Sequence, residues 1–199
     1  MPVRTLGALA LALAAVLPAP ARARPDTRLE PRPWPAERRC ESCIPLRFGR
    51  LLMQLTPSEI AELLLTEDEE APAPTVRQGL QFLMLSPGGL LRPYQRDGLL
   101  KPLGVHTNRQ FLEAIGRPPR AGERALARAR QGEGIDNCES YTRSSQGAIS
   151  AFWIKSPSPG RQRIYFLVDG SPTVYLLAGE VTPAFLDALL SGLRIAELP

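Results

Sequence analysis

Apolar and polar positions alternate most clearly toward the C-terminal end of the chain. Gly147–Lys155, Arg161–Val168 and Thr173–Val181 each read as a strand. Ser156-Pro157-Ser158-Pro159-Gly160 separates the first two, and Asp169-Gly170-Ser171-Pro172 the last two. Both are turn chemistry, and Asp-Gly between apolar alternations signals a hairpin. Ile164, Phe166 and Val168 share one face of the second strand, and Val174, Leu176 and Ala178 one face of the third. The opposite faces (Tyr165 and Leu167, then Tyr175 and Leu177) are only half polar, so partial cover is expected there too. A helix follows, capped by Thr182, with Pro183 in its first turn and Leu186, Leu189, Leu190 and Leu193 on one stripe. A helix with one apolar stripe buries it most simply on the sheet just formed.

Upstream the pattern is weaker. Ile44–Leu55 reads as one strand containing Gly49, at a bulge or a close approach. Ile60, Leu63 and Leu64 fit either a short helix after Thr56-Pro57-Ser58-Glu59 or a strand end. Glu67–Pro74 reads as a loop whose four acids lack the spacing of a calcium loop. Gln78–Ser86 is a further strand, with Leu80, Phe82 and Met84 on one face, and Pro102 breaks the stretch Gly98–Gly104. Thr107-Asn108-Arg109-Gln110 is a capping-box pattern opening a helix with Phe111, Leu112 and Ile115 inward. Gly122–Gln131 reads as a polar helix, while Gly132-Glu133-Gly134 and Asn137–Gln146 read as flexible loop. Together the elements predict an α+β fold: a mainly antiparallel sheet with helices packed on it, ending in a strand-strand-strand-helix unit.

The N-terminus has a different character. Arg4, the apolar run Leu6–Leu17 and Ala21-Arg22-Ala23 form the three parts of a secretory signal peptide, cut after Ala23. The apolar run is too short to span a bilayer, which takes about 20 residues. The expected organisation is therefore a signal peptide (1–23), a Pro-rich flexible arm (24–39) and a single α+β domain (40–198). Trp34 in the arm is expected to tuck onto the domain rather than onto a partner. The expected location is the periplasm or the exterior of a bacterial cell, with no transmembrane span.

Composition adds exclusions. The chain has 24 Lys+Arg, 20 Asp+Glu and a formal charge of +4. Removing residues 1–23 takes away Arg4 and Arg22 and no acid, leaving +2. So slight an excess argues against nucleic acid as the partner. Arg120, Arg124, Arg128 and Arg130 make the polar helix basic; they form either a solvated face or a surface contact for an anionic partner.

Cys40-Glu-Ser-Cys43 is the one chemical motif. Such a pair serves as a redox dithiol, as half a metal site or in structural disulfides. A haem attachment needs His where Ile44 stands, and a thioredoxin-type site needs a preceding strand and a following helix. A Cys₃His zinc site would need Cys138 and His106, but an oxidising compartment favours disulfides. One of Cys40 or Cys43 is therefore expected to pair with Cys138, closing a loop worth roughly 4 kcal/mol. His106 is the only histidine, so a triad hydrolase would have to use it; no nucleophile elbow, metalloprotease helix or phosphate loop accompanies it. Asp136 and Glu139 are a possible carboxylate pair that a polar loop explains as well. No catalytic residue, metal ligand or cofactor is assigned.

The C-terminal order, through Arg163-Ile164-Tyr165-Phe166, Val174-Tyr175-Leu176-Leu177-Ala178-Gly179 and Leu189-Leu190-Ser191-Gly192-Leu193, resembles that of Mog1/PsbP-like α/β/α sandwich proteins. The resemblance covers about a quarter of the chain and is one of pattern. It implies a small exported bacterial protein whose work is binding, and it carries no site residue with it. The expectation is an exported, non-catalytic binding or interaction protein of the bacterial cell envelope, its partner a protein or envelope component. The alternative is a thiol–disulfide redox protein using Cys40 and Cys43.

Overall fold

The computed structural model describes residues 27–64, 73–76 and 80–196. The signal segment Met1–Ala23 and the acids Glu67–Glu70 lie outside them. The fold is α+β. Its strands are β1 (Leu29–Pro31), β2 (Ile44–Phe48), β3 (Leu51–Leu55), β4 (Ile60–Leu64), β5 (Ala73–Val76), β6 (Leu80–Leu85), β7 (Ser140–Gln146), β8 (Ile149–Lys155), β9 (Gln162–Val168), β10 (Val174–Gly179) and β11 (Arg194–Ile195). Its helices are α1 (Arg92–Arg96), α2 (Leu100–Leu103), α3 (Asn108–Ala114), α4 (Arg124–Glu133) and α5 (Pro183–Gly192). The large sheet runs β1-β7-β8-β9-β10-β6-β5-β4, and a small one runs β11-β3-β2. All pairings are antiparallel except β1 with β7.

The large sheet is buried on both faces, because successive side chains of a strand point to opposite sides. Ala151, Trp153, Ile164, Phe166, Tyr175 and Leu177 join one core with the small sheet and α5. Phe152, Ile154, Tyr165, Leu167 and Val174 join a second core with α3 and α4. Central β8 is accordingly buried along nearly its whole length. Thr182 caps α5 by accepting from the Phe185 amide, as expected. Leu186, Leu189 and Leu190 are all buried, a contribution of about 2 kcal/mol each. The second face is covered more fully than its polarity suggested. The register also regroups the faces: Tyr175 and Leu177 lie opposite Phe166 and Ile164. The connection Asp169–Thr173, with Gly170 at φ 71°, sets that register.

Several expectations are corrected. Ile44–Leu55 is a hairpin rather than one strand, turning at Gly49 with φ 57°. Gly49 is also a close approach, since a Cβ there would lie 2.7 Å from the Tyr175 hydroxyl, which accepts from the Arg50 amide at 2.8 Å. Of the two readings of Ile60, Leu63 and Leu64 the strand holds, while β5 begins at Ala73, inside the stretch read as loop. Met84 is 42% exposed and leaves the core to Leu80 and Phe82. Pro102 sits inside the short helix α2.

The polar stretch from Asn137 is not flexible: from Ser140 it is β7. Its helix-side face is polar by sequence yet engaged. The Tyr141 hydroxyl donates to the Leu112 carbonyl, and Arg143 pairs with Glu113 and lies over Phe152. The arm is extended but docked. Leu29–Pro31 adds to β7 as an edge strand. Arg32 pairs with Asp187, and Trp34 packs on the first core and donates to the Leu190 carbonyl at 3.0 Å. No helix among the described residues is long and apolar enough to cross a membrane.

Candidate functional site

The docked arm delivers the chain to the cysteine segment. Glu37 pairs with Arg194 of β11, and Cys40 and Cys43 then join to each other immediately before β2, with Cα atoms 5.4 Å apart. This corrects the expected link to Cys138, which is a free, buried thiol. The large sheet is the physical reason. Cys138 faces the helix-side core, whereas the hairpin that follows Cys43 packs on the opposite face. Cys138 donates to the Ile135 carbonyl, and burial pushes its thiol up to about 11. The Cys40–Cys43 ring spans four residues, so its chain-entropy contribution is about 2 kcal/mol, roughly half that of a ring of about a hundred. The Arg38 guanidinium lies 3.7 Å from Cys43 Sγ and 4.0 Å from Cys40 Sγ.

The basic segment divides. Arg120, Arg124 and Arg128 are exposed, as a surface contact requires. Arg130 is not a surface residue: it has no exposed area. Its Nε donates to Asp136 at 2.8 Å, Nη1 to the Ile115 and Arg117 carbonyls, and Nη2 to the Thr27 carbonyl at 3.0 Å. A buried guanidinium is tolerable only with its donors matched in this way. Asp136 is thus the partner of Arg130, and Glu139 pairs with Lys155, so the two carboxylates do not act as a pair. Arg117 and Glu123 form a two-pronged ion pair that, with the Arg120 amide, holds the Glu123 carboxyl down at about 2.

Sequence reading missed Glu133. It closes α4, with Gly134 in the left-handed conformation after it, and turns into the helix-side core. Its oxygens accept from the Tyr94 hydroxyl at 2.5 Å, the Tyr165 hydroxyl at 2.7 Å and Arg163 Nη1 at 3.1 Å. Burial, reinforced by the Glu133 charge, raises both phenols well above the ordinary tyrosine range. These three donors engage both carboxylate oxygens, and Glu133 thereby braces α1, α4 and β9. The signal was a lone acid at the last helical position before a capping glycine, which polarity alone assigns to solvent.

His106 lies exposed on the rim of a cleft of about 560 Å³ between the start of α3 and the β9–β10 connection. The capping box forms as expected: Thr107 accepts from the Gln110 amide, and the Gln110 side chain accepts from the Thr107 amide. Arg109, in the cleft wall, bridges Ser150 and Asp169. Asn108 Nδ2 donates to the Pro172 carbonyl at 3.3 Å, while its Oδ1 is buried with no hydrogen-bond partner among the described residues. No group of three or more His, Cys, Asp or Glu among the described residues is placed to hold a metal ion. The chain matches no family model, no curated protein and no solved structure.

Proposed function

We propose that this chain is an exported binding protein of the bacterial cell envelope. The cleft beside α3 carries the reading. It is preformed, because the capping box, the Arg109–Asp169 pair and the Asn108–Pro172 bond fix its walls before any ligand arrives. His106 stands exposed on the rim, where an arriving partner can reach its imidazole. The partner is a protein or envelope component. Export is supported by the three-part segment ending at Ala23. The layering of helices, sheet, then helix with hairpin supports the likeness to Mog1/PsbP-like sandwich proteins.

The test is photo-crosslinking against envelope extract, with the crosslinker at position 106 in one protein and at position 124 in another. A discrete adduct from 106, lost in Asn108→Ala, is expected. Adducts from 124 alone would move the contact to the basic face of Arg120, Arg124 and Arg128. Adducts from neither would overturn the binding reading. Sequencing the purified protein from its N-terminus checks export, which requires a start at Arg24.

A further inference from the structure

The Cys40–Cys43 bond joins residues that other contacts already hold. Upstream, Trp34 is bound to Leu190 and Glu37 to Arg194. Downstream, the β2–β3 ladder begins at once, with Ile44 opposite Leu55. A four-residue ring between two anchored stretches constrains the unfolded chain less than a long ring does. The ring is also accessible. Arg38, Arg39, Glu41, Ser42, Ile44 and Pro45 are all exposed around it. Arg38 stands beside both sulfurs and nearer to Cys43. A cation at that distance favours a thiolate over a thiol. Cys138 is buried on the other side of the large sheet and takes no part.

We propose that Cys40 and Cys43 form a reversible dithiol–disulfide site that oxidises the paired thiols of exported proteins, with Arg38 stabilising the departing thiolate. The site is independent of the cleft. A substrate thiolate attacks Cys40 Sγ. The Cys40–Cys43 bond breaks, a substrate–Cys40 disulfide forms, and the electron pair of the broken bond leaves on Cys43 Sγ beside Arg38. The substrate's second thiolate then attacks the substrate sulfur of that mixed disulfide, and Cys40 leaves as a thiolate. Two electrons pass from the substrate dithiol, the reductant, to the cysteine pair. The two protons of the substrate thiols go to solvent or to the new cysteine thiolates.

The test treats the purified, folded protein with dithiothreitol, traps thiols by alkylation and maps them by mass. Cys40 and Cys43 are expected to be reduced without denaturant while Cys138 stays unlabelled. Arg38→Ala should slow reduction about three- to fivefold at low salt, because one unit charge near 4 Å in water alters the leaving-group energy by that factor. The difference should shrink in high salt, and Arg38→Lys should retain the wild-type rate. Thiolate absorbance of the reduced protein provides a second readout: its titration should move to higher pH in Arg38→Ala. A disulfide that yields only after unfolding would overturn the proposal. So would an Arg38→Ala protein with wild-type rate and titration, or Cys138 found bonded to either partner.

Discussion

Replacing Arg130 with methionine keeps most of the apolar stem and removes a guanidinium that has no exposed surface. Four bonds are lost. The one to the Ile115 carbonyl is fully buried, and an orphaned buried acceptor costs about 1–3 kcal/mol. Those to the Arg117 and Thr27 carbonyls are only partly buried, and the Asp136 side chain is a third exposed, so these three acceptors are less sealed than the Ile115 carbonyl. Each of these contributes about 0.5–1 kcal/mol net. The loss of stability should be about 3–5 kcal/mol, the range for removing one partner of a buried ion pair. For a domain of this size that lowers Tm by about 6–20 °C. Urea unfolding followed by tryptophan fluorescence measures it, since Trp34 and Trp153 both pack in the first core. The amides of Leu29 and Arg32, bonded to Gly116 and Arg143, should exchange faster because the Thr27 anchor is gone. Arg124→Met, on the exposed side of α4, should stay within about 0.5 kcal/mol of wild type. A loss below about 1 kcal/mol in Arg130→Met would refute the clamp assigned to Arg130.

Gly49→Ala combines a positive φ with a Cβ only 2.7 Å from the Tyr175 hydroxyl, so it should destabilise by about 1–3 kcal/mol; Tyr175→Phe in the same background should recover part of that loss by denaturant unfolding. The phenols of Tyr94 and Tyr165 have folded pKa values above their unfolded ones. Their contribution is therefore complete below the ordinary tyrosine value of about 10 and is lost as pH rises beyond it. Denaturant midpoints should fall on that alkaline side, and ultraviolet titration should show the two phenols resisting ionisation while the fold lasts. Glu123 has the opposite sign. Its carboxyl is depressed to about 2 by Arg117 and the Arg120 amide, so its contribution is present above the ordinary glutamate range and is lost as pH falls toward that value. Carboxyl NMR titration should move Glu123 up toward the ordinary range in Arg117→Ala and leave it below that range, because the Arg120 amide still donates to it.

How much was legible follows from what each residue type reports. The β8–β9–β10 block and α5 could be read because their burial is apolar and periodic, and the cap at Thr107 because two side chains satisfy amides within four residues. β7 was hidden because Tyr141 and Arg143 meet the second core through a hydroxyl and an ion pair, which polarity assigns to solvent. Arg130 and Glu133 were hidden for the same reason: each is buried because distant backbone or phenol groups complete its bonding, and no local pattern names those groups. The cysteine pairing turned on which face of the sheet each thiol occupies, and that required the topology. Gly49 signalled a close approach, but which ring approached it was set by β10, more than a hundred residues away in sequence.

The place of β1 has a consequence for the order in time in which the chain folds. A chain is made N-terminus first, yet Leu29 pairs with Tyr141, Arg32 reaches Asp187 across 155 residues and Trp34 reaches Leu190 across 156. The first described segment to emerge is therefore the last that can find its place. Until it does, the outer edge of β7 is an open row of amides and carbonyls that any neighbouring chain could pair with. The docking of β1 is thus the final closure of the sheet, and a defect in the Arg130 anchor would show itself first as clumping of newly made chains.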